Sequence, residues 1–168
     1  MNYLLKRFHI ISAVLVSIVG TILHFTYGWS DNNPVVALFS AINESTWEHL
    51  KLLFFPMLLT SIVGYPFVSN SSNSYWCSRA IGILVSLAFT VIFFYTYSGI
   101  LGKNIAIIDI ISFFISVILG ELTSYILMNN KIPCNKICAI FLLISITALF
   151  IIFTFFPPDI GLFKKPTN

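Results

Sequence analysis

The chain has 168 residues, of which 58% are hydrophobic and only 9% are charged, and its mean hydropathy is +0.94. Soluble domains carry about 25% charged residues, so this composition excludes a water-facing surface around most of the chain. The basic residues are scattered and the net charge is only +3, which argues against a nucleic-acid-binding surface. We therefore expect an integral membrane protein whose main partner is the lipid bilayer.

Five apolar stretches are long enough to cross a bilayer, which takes about 20 residues in a helix. They cover residues 8–27, 50–68, 80–98, 105–128 and 137–156, and Pro56 interrupts the second of them. Backbone polar groups find no water in hydrocarbon, so each stretch is predicted to be an α-helix. Lys6 and Arg7 precede the first stretch without a cleavage site, so we interpret it as a retained span. The prediction is one all-α transmembrane domain over residues 1–168.

The segment between the first two spans has a pattern of its own. Asn33 followed by Pro34 is typical of a helix start, and the apolar run that follows ends at Ile42. Residues 34–42 are too few to cross a bilayer, so they predict a short interfacial or re-entrant helix. Ser45 and Glu48 then form a capping-box pattern, which predicts the start of the second span.

Basic residues are divided almost evenly between the two faces that alternating spans create. The face of the N-terminus holds five and the opposite face four: Lys6, Arg7, Arg79, Lys131 and Lys136 against Lys51, Lys103, Lys164 and Lys165. Positively charged loops tend to stay in the cytoplasm. The small excess therefore predicts a multi-pass protein of the cell membrane with a cytoplasmic N-terminus.

The three cysteines predict neither a disulfide framework nor a metal site. Cys134 and Cys138 are one helical turn apart, and Cys77 is distant in sequence. No histidine or third cysteine accompanies the pair at a spacing typical of zinc ligands. We expect reduced, structural thiols.

Small and polar residues recur at helical spacing along three spans, which predicts that these helices face one another. The stripes are Ala13, Ser17, Gly20, His24 and Tyr27 in the first span; Gly82, Ser86, Thr90 and Tyr97 in the third; and Asp109, Ser112, Ser116, Gly120 and Thr123 in the fourth. Glu121 is expected to be a separate buried carboxylate nearer the other face. His9 is expected to lie at the membrane interface.

Seven ionisable residues are expected to converge on one face of the membrane, because the alternation of spans places them there: His24, Asp31, Glu44, Glu48, His49, Lys51 and Asp109. Imidazole and carboxylate ligands together suit a divalent metal such as zinc. We take His24, Glu44 and His49 as candidate ligands. Glu48 and Asp109 are candidate catalytic carboxylates, one of which acts as a base toward a metal-bound water. The competing interpretation is a structural cluster, because acidic residues near a helix start are favoured by the macrodipole.

The stretch Asn33–Leu59, NPVVALFSAINESTWEHLKLLFFPMLL, resembles a family of small multi-span bacterial membrane proteins of unknown function. The later Phe156–Pro158 stretch, followed by residues 159–163, is similar to the C-terminal end of that family. The resemblance implies a bacterial inner-membrane location and transfers no catalytic residues.

Three classes of function remain open at this point. The first is an uncharacterised membrane protein with a binding or accessory role, acting as a homo-oligomer or with a membrane-protein partner. The second is a metal-dependent membrane hydrolase that uses the polar cluster, which is why the enzyme question stays undecided. The third is a small transporter or channel subunit, with carboxylates along a path through the membrane.

Overall fold

The computed structural model of the protein describes residues 3–166. Within this range the chain forms five α-helices that are long and apolar enough to cross a bilayer. They are α1 (Tyr3–Trp29), α2 (Thr46–Val68), α3 (Tyr75–Leu101), α4 (Ala106–Asn129) and α5 (Lys136–Phe155). The all-α architecture is thereby confirmed, and the five predicted spans correspond to five helices with the length and apolar composition that a span requires. Each span was predicted within a few residues of its helix, with α1 and α3 extending furthest beyond the apolar stretch.

The alternating helices define two ends of the bundle. The N-terminal face contains the ends of the helices at Tyr3, Val68, Tyr75, Asn129 and Lys136. The site face contains the opposite ends, at Trp29, Thr46, Leu101, Ala106 and Phe155. The predicted polar cluster belongs to the site face.

α2 is the most buried helix and runs unbroken through Pro56. Proline has no N–H to donate, so the carbonyl of Leu52, four residues earlier, loses its partner within the helix. Gly20 of α1 packs against this carbonyl so closely that a Cβ atom at position 20 would lie 2.5 Å from the Leu52 oxygen. The glycine thus lets α1 cover the backbone oxygen that the proline leaves free.

α3 and α4 approach each other most closely at a pair of glycines. A Cβ atom at Gly82 would lie 2.5 Å from the carbonyl oxygen of Gly120, and one at Gly120 would lie 2.8 Å from that of Gly82. Ser86 donates to the carbonyl of Ser116 at 2.8 Å. Small residues and hydroxyl bonds are typical of packed membrane helices. The predicted stripes of the third and fourth spans therefore do face each other.

The loop between α1 and α2 does not contain the short helix predicted over residues 34–42. Only Val36–Leu38 forms a single 3₁₀ turn. Asn33 accepts a bond from the amide of Val35 at 2.9 Å, as its capping pattern suggests. The turn ends at Ser40, whose hydroxyl bonds to the end of α1 by accepting from the Tyr27 amide and donating to the Leu23 carbonyl. Lys51 of α2 donates to the Ala37 carbonyl at 2.8 Å, so side chains tie the segment to both neighbouring helices.

A disulfide joins Cys77, near the start of α3, to Cys134, between α4 and α5. The prediction of three reduced thiols was therefore wrong for this pair. The two residues are 57 positions apart, so no local spacing pattern announces the bond. Their Cα atoms lie 5.7 Å apart because α3 and α4 pack together along their length. Cys138 is the free and exposed cysteine of the described range.

Candidate metal centre

Three of the predicted site residues come together at the site face. His24 lies in the second-last turn of α1, His49 in the first turn of α2, and Glu44 in the loop that joins these helices. One ligand atom from each side chain lies within 4.8 Å of the other two. The turn after α1 makes this return possible, because Asp31 and Asn32 both adopt left-handed backbone conformations.

The distances among the three side chains are close to those of a metal site. Nε2 of His49 lies 3.3 Å from one carboxylate oxygen of Glu44, and Nε2 of His24 lies 4.0 Å from the other. Zinc ligands at about 2.0–2.2 Å in tetrahedral geometry are separated by about 3.4 Å. A closure of roughly 1 Å would therefore complete the coordination. The imidazoles are about one-third exposed and Glu44 is two-thirds exposed, which leaves room for a further ligand.

The backbone fixes the tautomer of His49. Its Nδ1 lies 2.9 Å from the carbonyl oxygen of Ser45, which can only accept a hydrogen bond, so Nδ1 carries a proton. Metal-binding histidines are commonly oriented by such a bond from the second ring nitrogen. Nε2 then faces Glu44, either with a lone pair or with a second proton. The hydrogen bond to His49 lowers the pKa of the Glu44 carboxyl, and Glu44 is thus ionised at neutral pH. A metal ion would replace the proton between them.

Glu48 does not join this group, although it was predicted as a catalytic residue of the cluster. Its side chain is buried, lies 2.5 Å from Nζ of Lys51 and accepts a bond from the amide of Ile42. Only one of the two hydrogen bonds of the capping box forms. The Ser45 hydroxyl accepts from the Glu48 amide, but the Glu48 side chain does not accept from the Ser45 amide. Glu48 faces the protein interior because the equally buried Lys51 needs a counter-charge. With Lys51 it holds the loop that carries Glu44.

Asp109, the second predicted catalytic carboxylate, lies in the first turn of α4, on the same face of the bundle as the centre. It accepts a short hydrogen bond from the hydroxyl of Tyr97 on α3. It also lies close enough to His49 for the two charges to interact. Asp109 is thus within electrostatic range of His49 and is not one of the three ligand candidates.

The C-terminal segment forms a cleft on the site face. Phe163 packs between two aromatic rings, with centroid distances of 4.8 Å to Trp47 and 5.4 Å to Phe153. This anchor carries Lys165 to within electrostatic reach of Glu44. The resulting cleft has a volume of about 270 Å³ and is lined by Thr46, Phe94, Tyr95, Gly161, Lys164, Lys165 and Pro166. It combines aromatic walls with two ammonium groups, so it is suited to an anion that carries an apolar portion.

A second ionic cluster is buried towards the N-terminal face. Arg79 donates to Glu121 at 2.6 Å, and Nδ1 of His9 lies 2.7 Å from the same carboxylate oxygen. Ser12 donates to the other oxygen at 2.7 Å, and Arg79 also bonds to the hydroxyl of Ser61. Glu121 is buried, as predicted. His9 is buried too, since its ring bonds to Glu121 inside the bundle, a partner that the predicted interfacial position did not include.

Sequence reasoning overlooked the roles of two basic residues, Arg79 in the buried ionic cluster and Lys165 near the candidate metal centre. Arg79 was counted as a loop charge, although its place five residues into α3 among apolar neighbours is a signal of burial with an acidic partner. Lys165 was counted in the same way, and no local pattern indicates that Phe163 brings it back to the centre.

No curated protein and no solved structure matches this chain. A family model does match it, over residues 2–168, and its description is a family of unknown function, DUF6512. That range includes both helical faces and all three residues of the candidate centre. The chain therefore belongs to the DUF6512 family of unknown function.

Proposed function

We propose that this protein is a multi-pass membrane protein that binds a divalent transition metal, zinc in the first instance, through His24, Glu44 and His49. The observation that carries the proposal is the convergence of two imidazole nitrogens and a carboxylate from α1, α2 and their connecting loop. Two histidines with one glutamate and an open fourth position are a ligand set of catalytic zinc sites.

The geometry around the three side chains supports this proposal over a purely structural cluster. A structural role would favour burial and full hydrogen bonding, as Arg79 and Glu121 achieve at the other end of the bundle. The three side chains of the centre are partly exposed instead, and Ser45 orients the ring of His49. Exposed ion pairs contribute little to stability, about 0–1 kcal/mol, so stability alone is a weak reason for this arrangement.

The experiment is to measure zinc in the protein purified in detergent, by elemental analysis and by titration of the metal-free form. We expect one zinc per chain for the wild type and loss of zinc in His24→Gln and His49→Gln. Asp159→Asn is the matched control, because Asp159 is an exposed acid beyond α5 that pairs with Lys164 and is not a ligand candidate. Folded protein that binds no zinc, or variants that bind zinc like the wild type, would overturn the proposal.

The cleft on the site face favours a second candidate function, a metal-dependent hydrolase acting on a membrane-borne anionic substrate. Metal ions polarise phosphoryl or carbonyl oxygens and activate water. Asp109 is not among the ligand candidates and is available as the base. Lys164 and Lys165 would bind the anionic group of the substrate. Glu48 has no part in this mechanism, because it is paired with Lys51 inside the protein.

Release of inorganic phosphate from phosphatidic acid in mixed micelles tests this second function. The zinc-loaded wild type is expected to release phosphate, and Asp109→Asn is expected to lose that activity while it keeps its zinc. Absence of release from zinc-loaded wild-type protein would refute hydrolysis of this phosphate ester and leave the binding function standing.

The accessory and transport functions remain proposals with less structural support. A bacterial inner-membrane location, a homo-oligomer and a membrane-protein partner likewise stay predictions. A transport path needs carboxylates that are free to bind cargo, but Glu121 is already bonded to Arg79, His9 and Ser12. A cytoplasmic N-terminus is the orientation that the loop charges alone predict.

A further inference from the structure

The disulfide lies at one end of the bundle only. Cys77 is the third residue of α3, and Cys134 lies in the segment between α4 and α5. Both positions belong to the N-terminal face. The candidate metal centre belongs to the site face, at the other end of the same helices.

Disulfides persist in oxidising compartments and are rare where glutathione and thioredoxin keep thiols reduced. A disulfide between two connecting segments of a membrane protein therefore indicates which side of the membrane is oxidising. Cys77 and Cys134 sit at helix ends, where the oxidants of that side have access.

The structure removes one basic residue from the loop-charge count of each face, so the evidence for the opposite orientation still rests on a single residue. Arg79 is fully buried and paired with Glu121, so it is not a loop charge of the N-terminal face. Lys51 is equally buried and paired with Glu48, so it is not a loop charge of the site face. The remaining count is four basic residues against three, namely Lys6, Arg7, Lys131 and Lys136 against Lys103, Lys164 and Lys165. A difference of one residue does not set the orientation of a five-span protein.

We infer that the N-terminal face lies on the oxidising, non-cytoplasmic side of the membrane and that the site face opens to the cytoplasm. This orientation is the reverse of the one predicted from the loop charges. It makes the Cys77–Cys134 bond chemically stable where it stands. For the metal centre, the consequence rests on the proposed function: His24, Glu44 and His49 exchange metal with the cytosolic pool.

The chain contains a natural thiol whose labelling can report which side of the membrane the N-terminal face occupies. Cys138 is a free, exposed thiol in the first turn of α5, on the same face as the disulfide. Cells that produce the full chain are treated with a membrane-impermeant maleimide, either intact or after permeabilisation. We expect Cys138 to be labelled to the same extent in both samples. In Cys138→Ser/Lys165→Cys, whose new thiol is on the site face, we expect labelling only after permeabilisation.

The reverse pattern, with Cys138 protected and position 165 labelled in intact cells, would overturn the inference. If Cys138 is unreactive even after permeabilisation, the variant Cys138→Ser/Lys6→Cys provides a thiol at the exposed start of α1 instead. Its labelling in intact and permeabilised cells then tests the orientation in the same way. Alkylation of denatured protein gives a second measure, because two further thiols should react only after reduction. Reaction of all three cysteines without reductant would remove the basis of the inference. Labelling does not depend on zinc, so failure of the orientation and failure of the metal site are distinguishable.

Discussion

Removing the charge of Glu121 should destabilise the protein more than any loss of a neutral hydrogen bond. In Glu121→Gln the side chain keeps its size, but the fully buried Arg79 loses its counter-charge. Breaking a buried ion pair on one side costs about 3–5 kcal/mol. Hydrogen bonds between membrane helices are worth about 0.6 kcal/mol on average. The three bonds that Glu121 accepts would then account for about 2 kcal/mol at most, and a larger loss identifies the unpaired arginine as the cause.

The assay is unfolding of the purified protein in mixed micelles of increasing SDS content, followed by circular dichroism. Glu44→Gln is the matched control, since it makes the same change on a carboxylate that is two-thirds exposed. We expect a loss of about 3–5 kcal/mol for Glu121→Gln and less than about 1 kcal/mol for Glu44→Gln. Arg79→Met combined with Glu121→Gln should recover part of the loss, because no uncompensated charge remains. Equal stability of the two single variants would refute the reasoning.

Two further substitutions test the packing of the helices and the support of the centre. Gly82→Ala should cost about 1–3 kcal/mol in the same unfolding assay, because its Cβ would meet the Gly120 carbonyl oxygen and separate α3 from α4. Gly99→Ala, in the same helix with nothing within 4 Å, should cost nothing, and equal effects would contradict this account of the glycine pair. Lys51→Met leaves Glu48 buried without its partner and frees the loop that carries Glu44, so zinc affinity should fall by about 10- to 100-fold although Lys51 is not a ligand. Unchanged affinity would show that the loop is held by other contacts.

The number of helices was predictable because it follows from one strong physical requirement. Each stretch of about 20 apolar residues must satisfy its backbone internally in lipid, and only a helix does so. The facing stripes of α3 and α4 were predictable for a similar reason, since residues such as Gly82 and Ser86 recur at helical spacing. The single turn found after Pro34 in place of a short helix was not predictable, because the bonds that hold this segment, from the Ser40 hydroxyl to α1 and from Lys51 of α2 to the Ala37 carbonyl, join residues that are distant in sequence.

The membership of the site was predictable only in part. The spans alone bring His24 and His49 to one face, and the loop between their helices brings Glu44 there. Which way a carboxylate turns depends on its nearest partner in three dimensions. Glu48 turns inward to Lys51. The disulfide of Cys77 with Cys134 likewise joins residues 57 positions apart, and no local spacing pattern reveals that they meet.

Zinc-edge X-ray absorption of the loaded protein tests the central claim most directly, because it counts and identifies the atoms around the metal. The proposed centre predicts two imidazole nitrogens at about 2.0–2.1 Å together with oxygen ligands at about 2.0–2.2 Å, and no sulfur. In His49→Gln, the imidazole contribution should fall by half or the metal should be lost. A sulfur shell at about 2.3 Å, or a shell of oxygen atoms alone, would contradict the assignment of His24, Glu44 and His49 as the ligands.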